Sequence, residues 1–179
     1  MWPASKWIVL AMAGLVGQTV AGMPRQQIVD EVLGNPQFVS AAPADGRPVF
    51  DKVCSGCHRF GSMGKDVGPD LTTLAARLKK AEILEAILWP SRTIPDQYQS
   101  TLIEKRDGTI VAGMVQREDA VRVVLVTPQA LDRPVTVLKS QVKVRQKSPT
   151  SLMPEDLLSE FTLSQVASLV AFLVGPPPR

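Results

Sequence analysis

The sequence predicts a mainly α fold, a helical body interrupted by a small antiparallel β unit of about five short strands. The β unit is expected to precede a loop and one last helix. Three observations predict this. Apolar residues recur at helical spacing up to Leu88. Between about residues 97 and 147 the period shortens and β-branched residues accumulate. From Thr162 the helical spacing returns.

The first segment, MWPASKWIVLAMAGLVGQTVAGM, has one positive charge at Lys6, an apolar run from about Trp7 to Gly17, and the small-residue exit Thr19-Val20-Ala21. That order predicts an export signal over residues 1–21, cut after Ala21. An uncut leader is the alternative, with Val20 and Ala21 lengthening the apolar run toward the ~20 residues that span a bilayer. Either way the remainder is expected outside the cytoplasm, in a periplasm or an equivalent space. Residues 22–44 mix a weak helical pattern, QQIVDEVL, with AAPADG, and read as a tether or loosely docked arm.

The domain proper is expected over residues 45–175. Asp45 is positioned to cap a helix with Pro48 in its first turn and Val49, Phe50 and Val53 on one face. This helix runs into Cys54 and Cys57, and the glycine-rich loop GSMGKDVGPDL follows Phe60. Helical pieces are expected near Leu71–Leu78 and Lys80–Leu88. The second stops before Trp89-Pro90, because a residue preceding proline is pushed out of helical geometry. The β insertion, about 97–147, reads as YQSTLIEK, TIVAGMVQR, VRVVLVT, PVTVLK and QVKVRQ, with Asp107-Gly108 turning the first hairpin. In the final helix Thr162 and Gln165 form a capping box, and Leu163, Val166, Val170 and Leu173 an apolar stripe.

Twenty Lys and Arg against 17 Asp and Glu leave a net charge of +3. That balance lacks the clustered basic face of a nucleic-acid binder, and two cysteines are too few for a disulfide scaffold. Both cysteines and the single histidine fall within Cys54-Ser55-Gly56-Cys57-His58. Two thiols at this spacing can add to the two vinyl groups of a haem, with the adjacent imidazole beneath the iron. A thioredoxin-like pair belongs in a strand–helix setting, whereas a helical segment precedes this one. A structural zinc needs four ligands, and the chain has no third cysteine or second histidine. A local disulfide leaves His58 without a purpose.

One histidine excludes bis-histidine ligation within the chain. The far side of the iron takes a methionine, a less usual group, or nothing. Met63 lies so close after His58 that the chain between them spans at most about 17 Å, a tight path around a macrocycle. Met114 alternates with apolar residues and reads as strand packing; Met23 lies in the tether. Met153 stands in the loop SPTSLMPEDLL with Pro154 stiffening the backbone behind it. A rigid loop suits a weak thioether ligand, and simple packing is the other reading of the same residue.

VFDKVCSGCH, GPDL, SLMP and the closing LSQVASLVAFL occur in that order, and together they resemble class I cytochrome c. With the insertion carrying DGTIVAGMV, the chain more closely resembles a bacterial haem-binding domain often found at the carboxy-terminal end of large exported dehydrogenase-like proteins. The resemblance covers about Gly46 to Val174. It implies one covalent haem c, with Cys54 and Cys57 as thioethers, His58 as proximal ligand and Met153 as distal ligand. It also implies that the Pro69 carbonyl accepts a hydrogen bond from His58, and that Gly68 permits the approach. Trp89, Arg92 and Tyr98 become candidates for propionate contacts. Glu155-Asp156 departs from the family's tendency to glutamate and glycine, and no catalytic domain accompanies the haem module in these residues.

The function these features imply is an exported monohaem electron carrier with no enzyme activity of its own. Two further readings stay open: a haem-based sensor with a labile sixth ligand, and a docking subunit of a dehydrogenase complex. In the latter Lys139, Lys143, Arg145 and Lys147 form either a steering stripe for an acidic partner or an ordinary solvated strand face. The expected partners are redox donor and acceptor proteins, such as a periplasmic dehydrogenase or another cytochrome. Nucleic acid is not expected, and membrane only through a retained leader.

Overall fold

Two hydrophobic clusters organise the chain. A computed structural model describes residues 17–128 and 130–179; the expected leader falls mostly on residues 1–16, outside the described residues. The larger cluster gathers Val49, Phe50, Ile83, Leu84, Leu163, Val166 and Leu169 with their neighbours. The smaller holds Ile103, Val123, Leu125 and Val137. The first is made by helices and the second by strands.

Helix α1 (Arg25–Gly34) and the single turn α2 (Pro36–Val39) occupy the stretch expected to be a tether. Ile28, Val29, Val32 and Phe38 are buried in the main cluster. A pattern too weak to predict a docked helix thus packs because three of its apolar residues share one face. Just ahead, Val20 is buried and donates its backbone N–H to the Phe161 carbonyl at 2.8 Å, while Thr19 pairs with Thr162. Among the described residues, no helix is long and apolar enough to cross a membrane.

Helix α3 (Pro43–Val53) begins earlier than expected, so Asp45 lies in its first turn and Pro48 inside it. The acid there still favours the positive helix end. α3 crosses α6 (Leu163–Val174) at Gly46, where a Cβ would stand 2.0 Å from the Ser168 carbonyl oxygen and 2.7 Å from Phe172 Cβ. Only glycine lets the two backbones meet there. The predicted capping box of α6 is present, with Thr162 accepting from Gln165 N–H and the Gln165 side chain accepting from Thr162 N–H. α5 (Lys80–Leu88) has the expected bounds, whereas α4 shrinks to Leu74–Arg77 because Asp70–Thr73 form a loop.

The expectation of a mainly α fold is corrected. Among the described residues helix accounts for 35% and strand for 24%, and only four helices reach seven residues, so the architecture is mixed α and β. Glycine- and proline-bearing loops hold the helices short, so the five strands weigh more beside them. β1 (Thr101–Lys105), β2 (Ile110–Glu118), β3 (Arg122–Thr127) and β4 (Ala130–Leu138) form an antiparallel meander, and β5 (Val142–Lys147) returns to pair with β1. The order is β4-β3-β2-β1-β5. β4 starts four residues before the expected Pro134, and the proline fits inside it because that strand lies at the sheet edge.

The basic run from the 3-10 turn Lys139–Gln141 through β5 is not a free positive stripe. Lys139 and Arg145 both reach Glu118 on β2, Lys143 reaches Glu104 on β1, and Lys147 reaches Asp96. Hydrogen bonds from Arg145 and Lys139 draw the Glu118 carboxyl down to about 2. These charges join strands of one curled sheet. Replacing Gly46 by Val is expected to lower stability by about 1–3 kcal/mol, the usual result of forcing volume into a packed contact. Thermal unfolding followed by circular dichroism measures it.

Candidate haem site

α3 delivers the attachment motif. Cys54 closes the helix with its N–H on the Phe50 carbonyl at 2.8 Å. Cys57 and His58 then turn back, each donating to the Cys54 carbonyl, at 3.0 and 2.9 Å. The flanks of this turn are held by aromatic contacts, because Phe50 and Phe60 pack on each other and on Phe172 of α6 with ring centroids 5.2–5.9 Å apart. Both thiols are free. Burial, reinforced by Cys57, pushes the Cys54 thiol up to about 12. Burial also raises Cys57, against the opposing pull of Lys65. Both therefore carry their protons at neutral pH.

The glycine-rich loop folds back onto the motif. Val67 and Gly68 N–H groups both donate to the Cys57 carbonyl, at 3.0 and 2.7 Å, and Leu71 donates to Arg59. This return sets the Pro69 carbonyl 2.7 Å from His58 Nδ1. A carbonyl only accepts, so Nδ1 carries the hydrogen and the neutral ring's Nε2 keeps its lone pair. Burial lowers the imidazole's proton affinity, and the Pro69 bond opposes it only in part. Gly68 lies against the ring: a Cβ there would stand 2.8 Å from His58 Cε1.

A second bracket holds this loop and escaped the sequence reading. Asp70 accepts from Thr72 N–H at 2.8 Å and from Arg59 at 2.6 Å. Those bonds, Thr72 first, draw its carboxyl down to about 2. The only sequence signal was Asp-x-Thr, a common local turn.

Met153 is half-buried against the main cluster, with Trp89 and Leu71 among the residues packed there. Its loop is tied by hydrogen bonds: Ser151 N–H to Ser91 Oγ, and Met153 N–H to Ser151 Oγ, both 3.1 Å. Arg25 of α1 reaches Glu155 at 2.6 Å. Met63 sits in a turn closed by two backbone bonds with Phe60, on the segment leading away from His58. Met114 pairs with Val126 in the β unit, and Met23 packs against the main cluster. Of the propionate candidates, Arg92 stacks 4.5 Å over Trp89 and meets Glu85 at 3.3 Å, and Tyr98 is half-buried in a 3-10 turn (Asp96–Tyr98).

The residues fit a covalently held haem. Two free thiols flank a turn, a half-buried imidazole has one nitrogen fixed and the other free, and Gly68 leaves no room for a side chain against the ring. Residues 43–118 match the family model described as Cytochrome c. The chain carries a class I cytochrome c-like haem-binding domain. Its cofactor is haem c, bound covalently, with Cys54 and Cys57 inside the matched span. That span runs from the start of α3 to the end of β2, so Met153 and α6 lie beyond it. No curated protein matches the chain significantly.

In this cytochrome domain Gly68→Ala is expected to push the His58 ring off the Pro69 carbonyl. A less basic ligand stabilises the oxidised iron less, so the reduction potential rises, by about 60 mV for each tenfold loss. Redox titration followed by visible absorption reads the shift.

Proposed function

We propose that this cytochrome is an exported monohaem electron carrier with His58 and Met153 as axial ligands. The observation that carries the reading is the 2.7 Å bond from His58 Nδ1 to the Pro69 carbonyl. It commits one ring nitrogen to the backbone and leaves the other as a ligand, in a segment bearing two free thiols. When bound, the haem supplies an iron that changes oxidation state by one electron. Cys54 and Cys57 would hold the haem through thioether bonds, each thiol contributing its sulfur and its hydrogen to one vinyl group. His58 holds its Nδ1 proton on Pro69 in both oxidation states, which fixes ring orientation. Met153 is supported by its tied loop and by Pro154, which together leave little ordering for a weak thioether to undergo on ligation. With His58 and Met153 both holding the iron, little in the protein would need to rearrange as an electron passes.

The proposed partners are a redox donor and a redox acceptor protein outside the cytoplasm, a dehydrogenase or a second cytochrome. The export pattern of residues 1–21 supports that location. Mass spectrometry of the mature protein is expected to give one haem's added mass and a truncated leader. An intact leader replaces the soluble carrier with an anchored one. A cut after Ala21 also removes the docked Thr19 and Val20, so the observed terminus reports whether that pairing survives.

The ligand assignment has its own test. The oxidised protein is expected to show the weak near-infrared band of sulfur-to-iron charge transfer. Met153→Ala abolishes the band and lets the reduced protein bind carbon monoxide rapidly. A parent protein that lacks the band and binds carbon monoxide at once overturns the assignment and makes the domain a ligand-binding one.

A further inference from the structure

The β3–β4 hairpin returns to the attachment loop. Asp132 Oδ1 accepts from Lys65 Nζ at 2.6 Å. Leu131 Cδ1 lies 3.9 Å from where a Cβ on Gly56 would stand. Gly56 separates the two thiol residues, and Lys65 belongs to the loop that folds back on Cys57. Cys57 is the more exposed of the two thiols.

The β unit otherwise stands on its own core, which shares no residue with the main cluster. Its base is pinned where the chain enters and leaves: Ser100 Oγ donates to the Thr150 carbonyl at 3.0 Å, and Ser148 N–H to the Ser100 carbonyl at 2.8 Å. A unit held at the base of one strand alone is free to lean, and a second contact set off across the sheet, at the β3–β4 turn, fixes it. That second contact falls on the motif.

We propose that Leu131 and the Lys65–Asp132 pair are positioning residues that hold the β unit against the attachment loop. The cofactor edge bonded through Cys57 is then reached across a surface shared by that loop and β4, and a redox partner must contact both. The insertion thereby belongs to the electron-exchange surface. An exposed ion pair shifts such an equilibrium by no more than about fivefold, and salt weakens it. The contact is therefore a reversible clasp.

The test uses the haem-loaded protein and four variants. Asp132→Asn and Glu104→Gln remove one negative charge each, the second from a β1–β5 pair away from the motif. Leu131→Ser leaves both clasp charges in place, and Lys65→Asp/Asp132→Lys reverses them. Amide exchange at residues 55–57 and reduction by ascorbate at low and high salt are measured, with visible absorption on the same samples. Asp132→Asn and Leu131→Ser are expected to speed exchange and low-salt reduction about two- to fivefold. Glu104→Gln leaves amide exchange at the parental rate, and the reversed pair restores it. If Asp132→Asn matches the parent or Glu104→Gln, or if reversal restores nothing, the clasp is overturned. An unchanged haem spectrum in that case overturns the clasp alone, whereas absent haem bands in the parent overturn the attachment and the clasp together.

Discussion

The site rests on one constraint, the hydrogen bond that a backbone carbonyl accepts from a half-buried imidazole. Because Pro69 O takes the Nδ1 hydrogen of His58 at 2.7 Å, the ring has one tautomer and one orientation. The surrounding features serve that bond. Gly68 gives the ring its contact surface, and the Cys57 carbonyl draws the returning loop inward. Asp70, held by Thr72 and Arg59, keeps Pro69 from sliding along the chain. The same bond also ties the imidazole to a main-chain atom, which no side-chain substitution removes directly.

Around this bond the helical body acts as a frame. α3 and α6 meet at Gly46 closely enough that motif and terminal helix move as one piece. The aromatic trio Phe50, Phe60 and Phe172 grips the motif from both ends. The desolvation that drives the Cys54 thiol up and the His58 imidazole down comes from this packing. One environment thus keeps the sulfurs protonated and the ring neutral, the forms needed for thioether formation and for metal ligation.

The β unit follows a different logic. Its core is small, and much of its charge is spent internally, with Glu118 bridging Lys139 and Arg145 from separate segments. A basic run that reads as a docking stripe in one dimension becomes strand-to-strand bracing in three. What the unit offers the motif is its β3–β4 turn, where Leu131 and Asp132 come back to Gly56 and Lys65.

The pentad Cys54–His58 fixed the chemistry from sequence alone, because its spacing has few other uses and the chain holds no further cysteine or histidine. Regular elements with strong periodicity were equally legible: α5, the capped α6 and the hairpin at Asp107-Gly108. The weight of helix was overestimated, since residues 71–73 were read as helix but form a loop, and β4 starts at Ala130, ahead of the Pro134 at which the pattern placed it. The docking of α1, the ties from Ser91 and Ser151 to the Met153 loop, and the Lys65–Asp132 contact had no sequence signature. The physical reason is separation along the chain. Local propensity and spacing dictate which chemistry a segment can perform, but which distant segments meet is decided when two cores close and backbone groups find partners dozens of residues away.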